Sequence, residues 1–236
     1  GGGVGRFNSV RVQPGSTSTY YACAPAGGLW KTTNSGTSWT CMNTDFLASI
    51  GVTDIAIDPN NTNILYIATG DGDASDTYAL GVLKSTDGGA TWNSTGLNWT
   101  VTNNRTTSRI LIHPSNTNIL LAATSNGIYK TTDAGVSWTL VQSGSFKDLE
   151  FKPNDPTVVY ASGGTFMRST NTGDSFTTIT AGLPTTDVNR ISIAVSAASS
   201  AVVYLLVSNN TDYGLRGVYK STDSGTNFTT AATTPN

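Results

Sequence analysis

The side chains with the chemistry to bind or react are few, and most are aspartates. Asp71-Gly72-Asp73, followed by Asp76, gathers three carboxylates in one short polar stretch. Carboxylates at alternate positions separated by glycine can turn inward on one hard cation, and Ca2+ takes six to eight oxygens, which backbone carbonyls and water complete. The expectation is a calcium-organised loop with Asp71, Asp73 and Asp76 as ligands; the competing reading has them cap turns or face a ligand. Glycoside hydrolysis needs only two carboxyl groups, about 5.5 Å apart for retention or about 6.5–9.5 Å for inversion. Asp54, Asp71, Asp73, Asp76, Asp148 and Asp187 are the candidates to face a cleft.

Other chemistries are excluded more readily. His113 is the single histidine, and it stands where a second repeat has Asp58 and a fourth has Lys152, just before a turn proline. It is therefore a turn residue, which removes Ser-His-Asp and Cys-His catalysis and leaves no zinc set. Cys23 and Cys41 fall on the second and fourth strands of the first repeat, about 9.6 Å apart if one strand intervenes. A bridge needs converging strand ends, and the sequence leaves bridged and free thiols equally open. No catalytic residue is assigned.

The elements that position these residues repeat. The phrase Ser85-Thr86-Asp87-Gly88-Gly89-Ala90-Thr91-Trp92 has four relatives, whose acidic or amide residues are Asn34, Asp133, Asn171 and Asp223. The closing aromatics at 39, 92, 138, 176 and 228 are spaced by roughly 40–50 residues, the length of one four-stranded propeller blade. In each copy the Asp or Asn accepts backbone N–H groups of its own turn, the glycine two residues on takes positive φ, and the aromatic fills the space between sheets. A group needed once per reaction would not be copied into every blade, so Asn34, Asp87, Asp133, Asn171 and Asp223 are structural.

In the second repeat Val52–Ile57 alternates as a half-buried strand, Asp58–Asn63 is a turn, 64–68 and 81–84 are strands, and a fourth strand begins at 91. The fold class is all-β: a propeller of four-stranded antiparallel blades spanning approximately 6–43, 51–95, 108–141, 147–180 and 188–231. The 236 residues form one such domain, either a small five-blade ring or a piece of a longer propeller.

The repeated phrase resembles the Asp-box, or BNR repeat, of sialidases, sortilin-type receptors, xyloglucan-degrading hydrolases and a photosystem assembly factor. The wording Gly81-Val82-Leu83-Lys84-Ser85-Thr86-Asp87-Gly88-Gly89-Ala90-Thr91-Trp92, with Asp58-Pro59-Asn60 upstream, looks most like secreted Bacteroidetes propellers that use the type IX export route. That resemblance implies a propeller and a secreted or cell-surface location. It leaves activity open, because the superfamily spans hydrolases, receptors and scaffolds. Gly5-Arg6-Phe7-Asn8 has an arginine without the sialidase Arg-Ile-Pro motif, and the catalytic context of the xyloglucan hydrolases is not recognisable.

In a propeller the hairpins and Asp-Pro turns share one face, so variation collects on the other. There the second repeat inserts 70–78, the fifth inserts 208–216, and the connection after the second carries Trp99 and Arg105. Aromatics beside polar tips on long loops make Tyr78, Trp99, Arg105, Tyr213 and Arg216 the ligand-binding candidates, suited to a glycan or a peptide. With a net charge of −2 and 12% charged residues there is no basic stripe for nucleic acid, and no apolar run approaches the ~18 residues of a membrane span. The leading functional reading is a binding or scaffold module for a glycan or surface protein. The alternatives are a glycoside hydrolase of the Asp-box kind and a purely structural surface-assembly component.

Overall fold

The computed structural model describes residues 5–49, 51–73 and 77–234. Among them the chain forms five four-stranded antiparallel sheets, each with its strands in chain order, which makes it an all-β propeller fold. The first blade has β1 (Ser9–Val12), β2 (Tyr20–Ala24), β3 (Gly28–Thr32) and β4 (Thr40–Cys41). The second has β5 (Val52–Ile57), β6 (Leu65–Thr69), β7 (Gly81–Ser85) and β8 (Asn93–Asn98). The third has β9 (Thr107–Ile112), β10 (Leu120–Thr124), β11 (Gly127–Thr131) and β12 (Thr139–Ser143). The fourth has β13 (Asp148–Phe151), β14 (Val159–Ser162), β15 (Phe166–Ser169) and β16 (Thr177–Thr178). The fifth has β17 (Arg190–Val195), β18 (Val203–Ser208), β19 (Leu215–Ser221) and β20 (Thr229–Ala232).

Two compact units result: one holds residues up to Ser125 with Tyr129–Thr139, the other Asn126–Ile128 and everything from Leu140 onward. In the first unit, Tyr21, Cys23 and Leu29 of the first blade pack on Ile55, Ile57, Leu65, Ile67 and Leu83 of the second. The opposite face of the second blade, with Ala56, Tyr66, Ala68 and Val82, packs on Ile110, Leu120 and Ala122 of the third. In the second unit, Tyr160 and Phe166 meet Ile193, Val203, Leu205, Tyr219 and Phe228.

Covering on both sides explains one departure from the pattern. β5 alternates in sequence yet is buried throughout, because a sheet stacks on each of its faces, so Thr53 and Asp54 are enclosed as fully as Ile55. β18 alternates between buried and exposed, as a strand covered on one face does.

The turns after the innermost strands are closed by one device in two chemistries. Asp58 Oδ1 accepts the N–H groups of Asn60 (2.8 Å) and Asn61 (3.2 Å), and His113 Nδ1 accepts those of Ser115 (3.2 Å) and Asn116 (3.0 Å). His113 is thus a neutral turn residue; burial and then the nearby Lys130 charge lower its pKa.

The cysteines are free. Cys23 pairs across strands with Leu29 while Cys41 pairs with Trp30, and successive residues of a strand point to opposite faces. The two thiols therefore lie on opposite sides of one sheet.

Candidate functional site

The five hairpins use their polar side chains locally. Asp87 Oδ1 accepts from Thr91 N (2.9 Å) and Ser85 Oγ (2.8 Å), and its Oδ2 accepts from Thr91 Oγ1 (2.6 Å). Asp133 repeats this with Ser137 and Thr131, and Asp223 with Asn227 and Ser221. Asn34 and Asn171 accept the same backbone N–H, from Ser38 (2.9 Å) and Ser175 (3.1 Å). Donation from Thr91 and Ser137 holds the Asp87 and Asp133 carboxyls down to about 2.

Two innermost-strand carboxylates are used between blades. Asp54 on β5 is buried and takes Arg11 Nε on Oδ1 (2.8 Å) and Arg11 Nη2 on Oδ2 (3.1 Å). From the other side Arg109 Nε lies 3.7 Å from Oδ2, and the Ile110 N–H donates to it at 3.2 Å. Burial pushes the Asp54 carboxyl up and Arg11 opposes that shift. Asp148 holds the same register position on β13, and its Oδ2 accepts the N–H of Ile193 on β17 at 2.9 Å. Both carboxylates thus bind the next blade's innermost strand.

Asp71 is buried, ion-paired with Arg6, and accepts Asn8 Nδ2 (3.3 Å) and the N–H of Asp73 (2.9 Å) on Oδ1. Asp73 is exposed, and Asp76 lies outside the described residues. Among the described residues no group of three His, Cys, Asp or Glu side chains is placed to hold a metal ion. Asp187 is exposed, has φ 55°, and accepts the N–H of Asn210 at 3.0 Å.

Of the aromatic and cationic candidates, Trp99 and Arg105 come together, and Tyr78 lies on the adjoining loop. The β6–β7 loop and the β8–β9 connection are laced by Ala79 N–H to the Arg105 carbonyl (2.8 Å) and Trp99 N–H to the Leu80 carbonyl (3.0 Å). Ser49 Oγ donates to the Tyr78 carbonyl at 2.8 Å, fixing the entry to the same rim. The Arg105 guanidinium sits 5.3 Å from the Trp99 ring centre, and Trp99 stands edge-on to Tyr129 at 6.2 Å. Tyr78 is exposed, while Trp99 and Arg105 are half-buried. The rim thus offers a cation over the outer side of an indole that also packs on the core of the second and third blades, with the exposed Tyr78 phenol on the adjoining loop, groups that can bond sugar hydroxyls and bring aromatic edges to a sugar face.

Tyr213 belongs to the second unit, in a turn where Asn209 Oδ1 accepts the N–H groups of Thr211 (2.9 Å) and Asp212 (3.0 Å), whereas Arg216, expected in the same loop, lies on β19. Tyr213 is exposed there and lines a pocket of about 410 Å³ with Arg190, Ser192, Leu206 and Ser208. Sequence reasoning missed Arg190 here, and Arg11 and Asn8 at the buried carboxylates, and it assigned Arg109 to the loop-face connection after the second repeat, whereas Arg109 lies on β9. The signal available for Arg11 and Arg109 was a lone charge within an innermost strand.

Sheets of this order with these hairpins define a β-propeller of four-stranded blades. No family model matches the chain. Among curated proteins it is similar to a xyloglucanase of Hypocrea jecorina (strain QM6a), 27% identical over 241 residues, covering 97% of this chain and 26% of that protein. It is also similar to the xyloglucanase Xgh74A of Acetivibrio thermocellus, 31% identical over 171 residues, covering 68% of this chain and 19% of that one. The chain thus spans about a quarter or less of the length of these relatives.

Among solved structures, an ancestral GH74 enzyme superposes with a TM-score of 0.78 at 22% identity, covering 96% of this chain and 31% of that one. The GH74 xyloglucanase from Xanthomonas campestris superposes at 0.75 and 18%, covering 99% and 38%. These likenesses speak for the fold. The curated relatives favour the hydrolase alternative over the non-catalytic scaffold placed first on sequence grounds, and they do not support the lean away from an enzyme.

Proposed function

We propose that this chain is a glucan-contacting part of a glycoside hydrolase that acts on xyloglucan. The observation that carries the reading is the 27% identity to a xyloglucanase across 97% of the chain. In support, the rim of Tyr78, Trp99 and Arg105 has the chemistry a neutral polysaccharide needs. Asp54 and Asp71 are ion-paired and Asp148 binds a backbone N–H, so the reading gives this chain the binding surface and makes bond cleavage a property of the longer protein. Tyr213 and Arg216 serve as further glycan contacts in the second unit. An extracellular location follows from a polysaccharide substrate; no helix among the described residues is long and apolar enough to cross a membrane. Kinship with type IX-exported propellers rests on the hairpin wording alone.

The test is affinity electrophoresis of the chain in gels containing xyloglucan or polygalacturonate, with released reducing ends assayed in parallel. The reading expects retardation by xyloglucan only, weakened about three- to tenfold in Trp99→Ala. Equal mobility in both gels would remove it. Calcium at Asp71, Asp73 and Asp76 is a separate proposal in which the ion displaces Arg6. A rise in Tm with calcium, reversed by chelator, supports it, and an unchanged Tm removes it.

A further inference from the structure

In every blade the turn after the innermost strand is tied to the hairpin of the same blade. The Asn118 carbonyl takes the N–H of Ala134 at 2.9 Å in the third blade, and the Asn63 carbonyl takes that of Gly88 at 2.9 Å in the second; Ser18 with Ser35, Thr157 with Thr172 and Ala201 with Ser224 do the same in the others. The side chain that closes the turn changes from blade to blade. Ser16 Oγ accepts the N–H of Thr19 at 3.0 Å in the first, Asp58 and His113 close the second and third, Lys152 Nζ donates to Asp155 at 3.0 Å in the fourth, and Ser196 Oγ accepts the N–H of Ala198 at 3.2 Å in the fifth. Of these groups the imidazole is the one whose ordinary pKa puts its charge change between about pH 5 and 8.

His113 Nδ1 accepts two N–H groups, from Ser115 and Asn116, so the neutral ring carries its proton on Nε2. A second proton would set a donor on Nδ1 against two donors, and the ring would have to leave the turn. Burial and the buried Lys130 of β11 oppose that protonation in the folded turn. Of the strands packed on β9, β6 and β10 carry no charge and β5 brings Asp54, which holds Arg11 and Arg109. Asp58 is taken by its own turn, and Asp133 on the adjoining hairpin by Thr131 and Ser137. The bonds continue beyond the turn. The Ala134 carbonyl accepts Tyr66 Oη at 3.1 Å and Lys84 Nζ at 3.2 Å, both from the second blade, with Lys84 lying over the Tyr66 ring.

We propose that His113 is a pH-sensitive catch: in mildly acidic solution its ring leaves the turn over 113–116, and the loosened turn, through Asn118 and Ala134, slackens the latch that holds the third blade to the second. The stability the catch supplies is complete above the ordinary imidazole value of 6.5 and is lost as pH falls through the lower value His113 has in the folded chain. That window lies well above the value of about 2 at which Asp133 titrates.

Nuclear magnetic resonance of the 236-residue chain from about pH 7.5 to about pH 4.5 tests this, and the single histidine makes the ring signal unambiguous. Amide protection is read at each pH after correction for the intrinsic pH dependence of exchange. The expected result is that Ser115, Asn116 and Ala134 lose protection about tenfold with the midpoint of the His113 ring, the worth of one or two lost hydrogen bonds. The Gly88 N–H, tied to the turn that Asp58 closes, should keep its protection and serves as the internal control. His113→Asp restores an acceptor of the Asp58 kind and should hold protection level across the range, while His113→Ala should lower it at both ends. Where a variant fails to fold, the wild-type titration decides. A ring that stays neutral down to the lowest pH, a ring that titrates while Ser115 and Asn116 keep their protection, a loosened turn that leaves Ala134 protected, or a loss that Gly88 shares equally would each overturn the proposal.

Discussion

At Asp54 one carboxylate of the second blade draws on two neighbouring blades, taking Arg11 from β1 and both Arg109 and the Ile110 N–H from β9. Removing one partner of a buried ion pair strands the others, so Asp54→Ala should destabilise by about 3 kcal/mol, read as a lower urea midpoint at unchanged m. The exposed hairpin carboxylates act through pH instead. Asp87 and Asp133 are held at about 2 in the folded chain against an ordinary 3.8, so their contribution is full above about 4 and is lost as pH falls toward 2. Thermal melts across that window should show a falling Tm. The double variant Asp87→Asn, Asp133→Asn should flatten the fall while keeping the fold, since Asn34 and Asn171 already close two hairpins.

At the scale of elements, strand existence and hairpin position could be read directly from the chain. The proline turns after the first strands of four blades and the five phrases mark the repeat, and Val52–Ile57 is a strand as its residues suggest. Its burial was not legible, because alternation describes one strand and not the sheets stacked on both sides. Nor was the reduction of β4 and β16 to two residues each, since outermost strands are under little packing constraint. The pairing of Asp54 with Arg11 and Arg109 was hidden for a related reason: the partners sit in different repeats, and no local spacing reports contacts across a seam. Tyr78, Trp99 and Arg105 could be chosen from loop length and residue type, but that Arg105 lies over Trp99, with the Tyr78 loop laced beside them, depends on the bonds joining the β6–β7 loop to the β8–β9 connection. One close approach tests the packing of these elements. Gly81 has φ +90° and its missing Cβ would overlap the Leu97 carbonyl, so Gly81→Ala should lower stability by about 2 kcal/mol or more, while Gly5→Ala, with open space around it and no left-handed φ, does far less.

At the scale of the whole molecule, a chain of net charge −2 has no electrostatic means of attracting a polymer, which suits a neutral glucan. Affinity for xyloglucan should therefore stay constant between low and high salt, whereas an acidic ligand gripped by Arg105 would be lost as the Debye length shrinks. The account rests most directly on Trp99 meeting the glucan. Titrating the chain with a xyloglucan oligosaccharide while following tryptophan fluorescence should give a saturable change that Trp99→Phe abolishes and Trp39→Phe leaves intact. A flat signal in the folded wild type, or a change that persists in Trp99→Phe, would contradict the placement of the glucan on this rim.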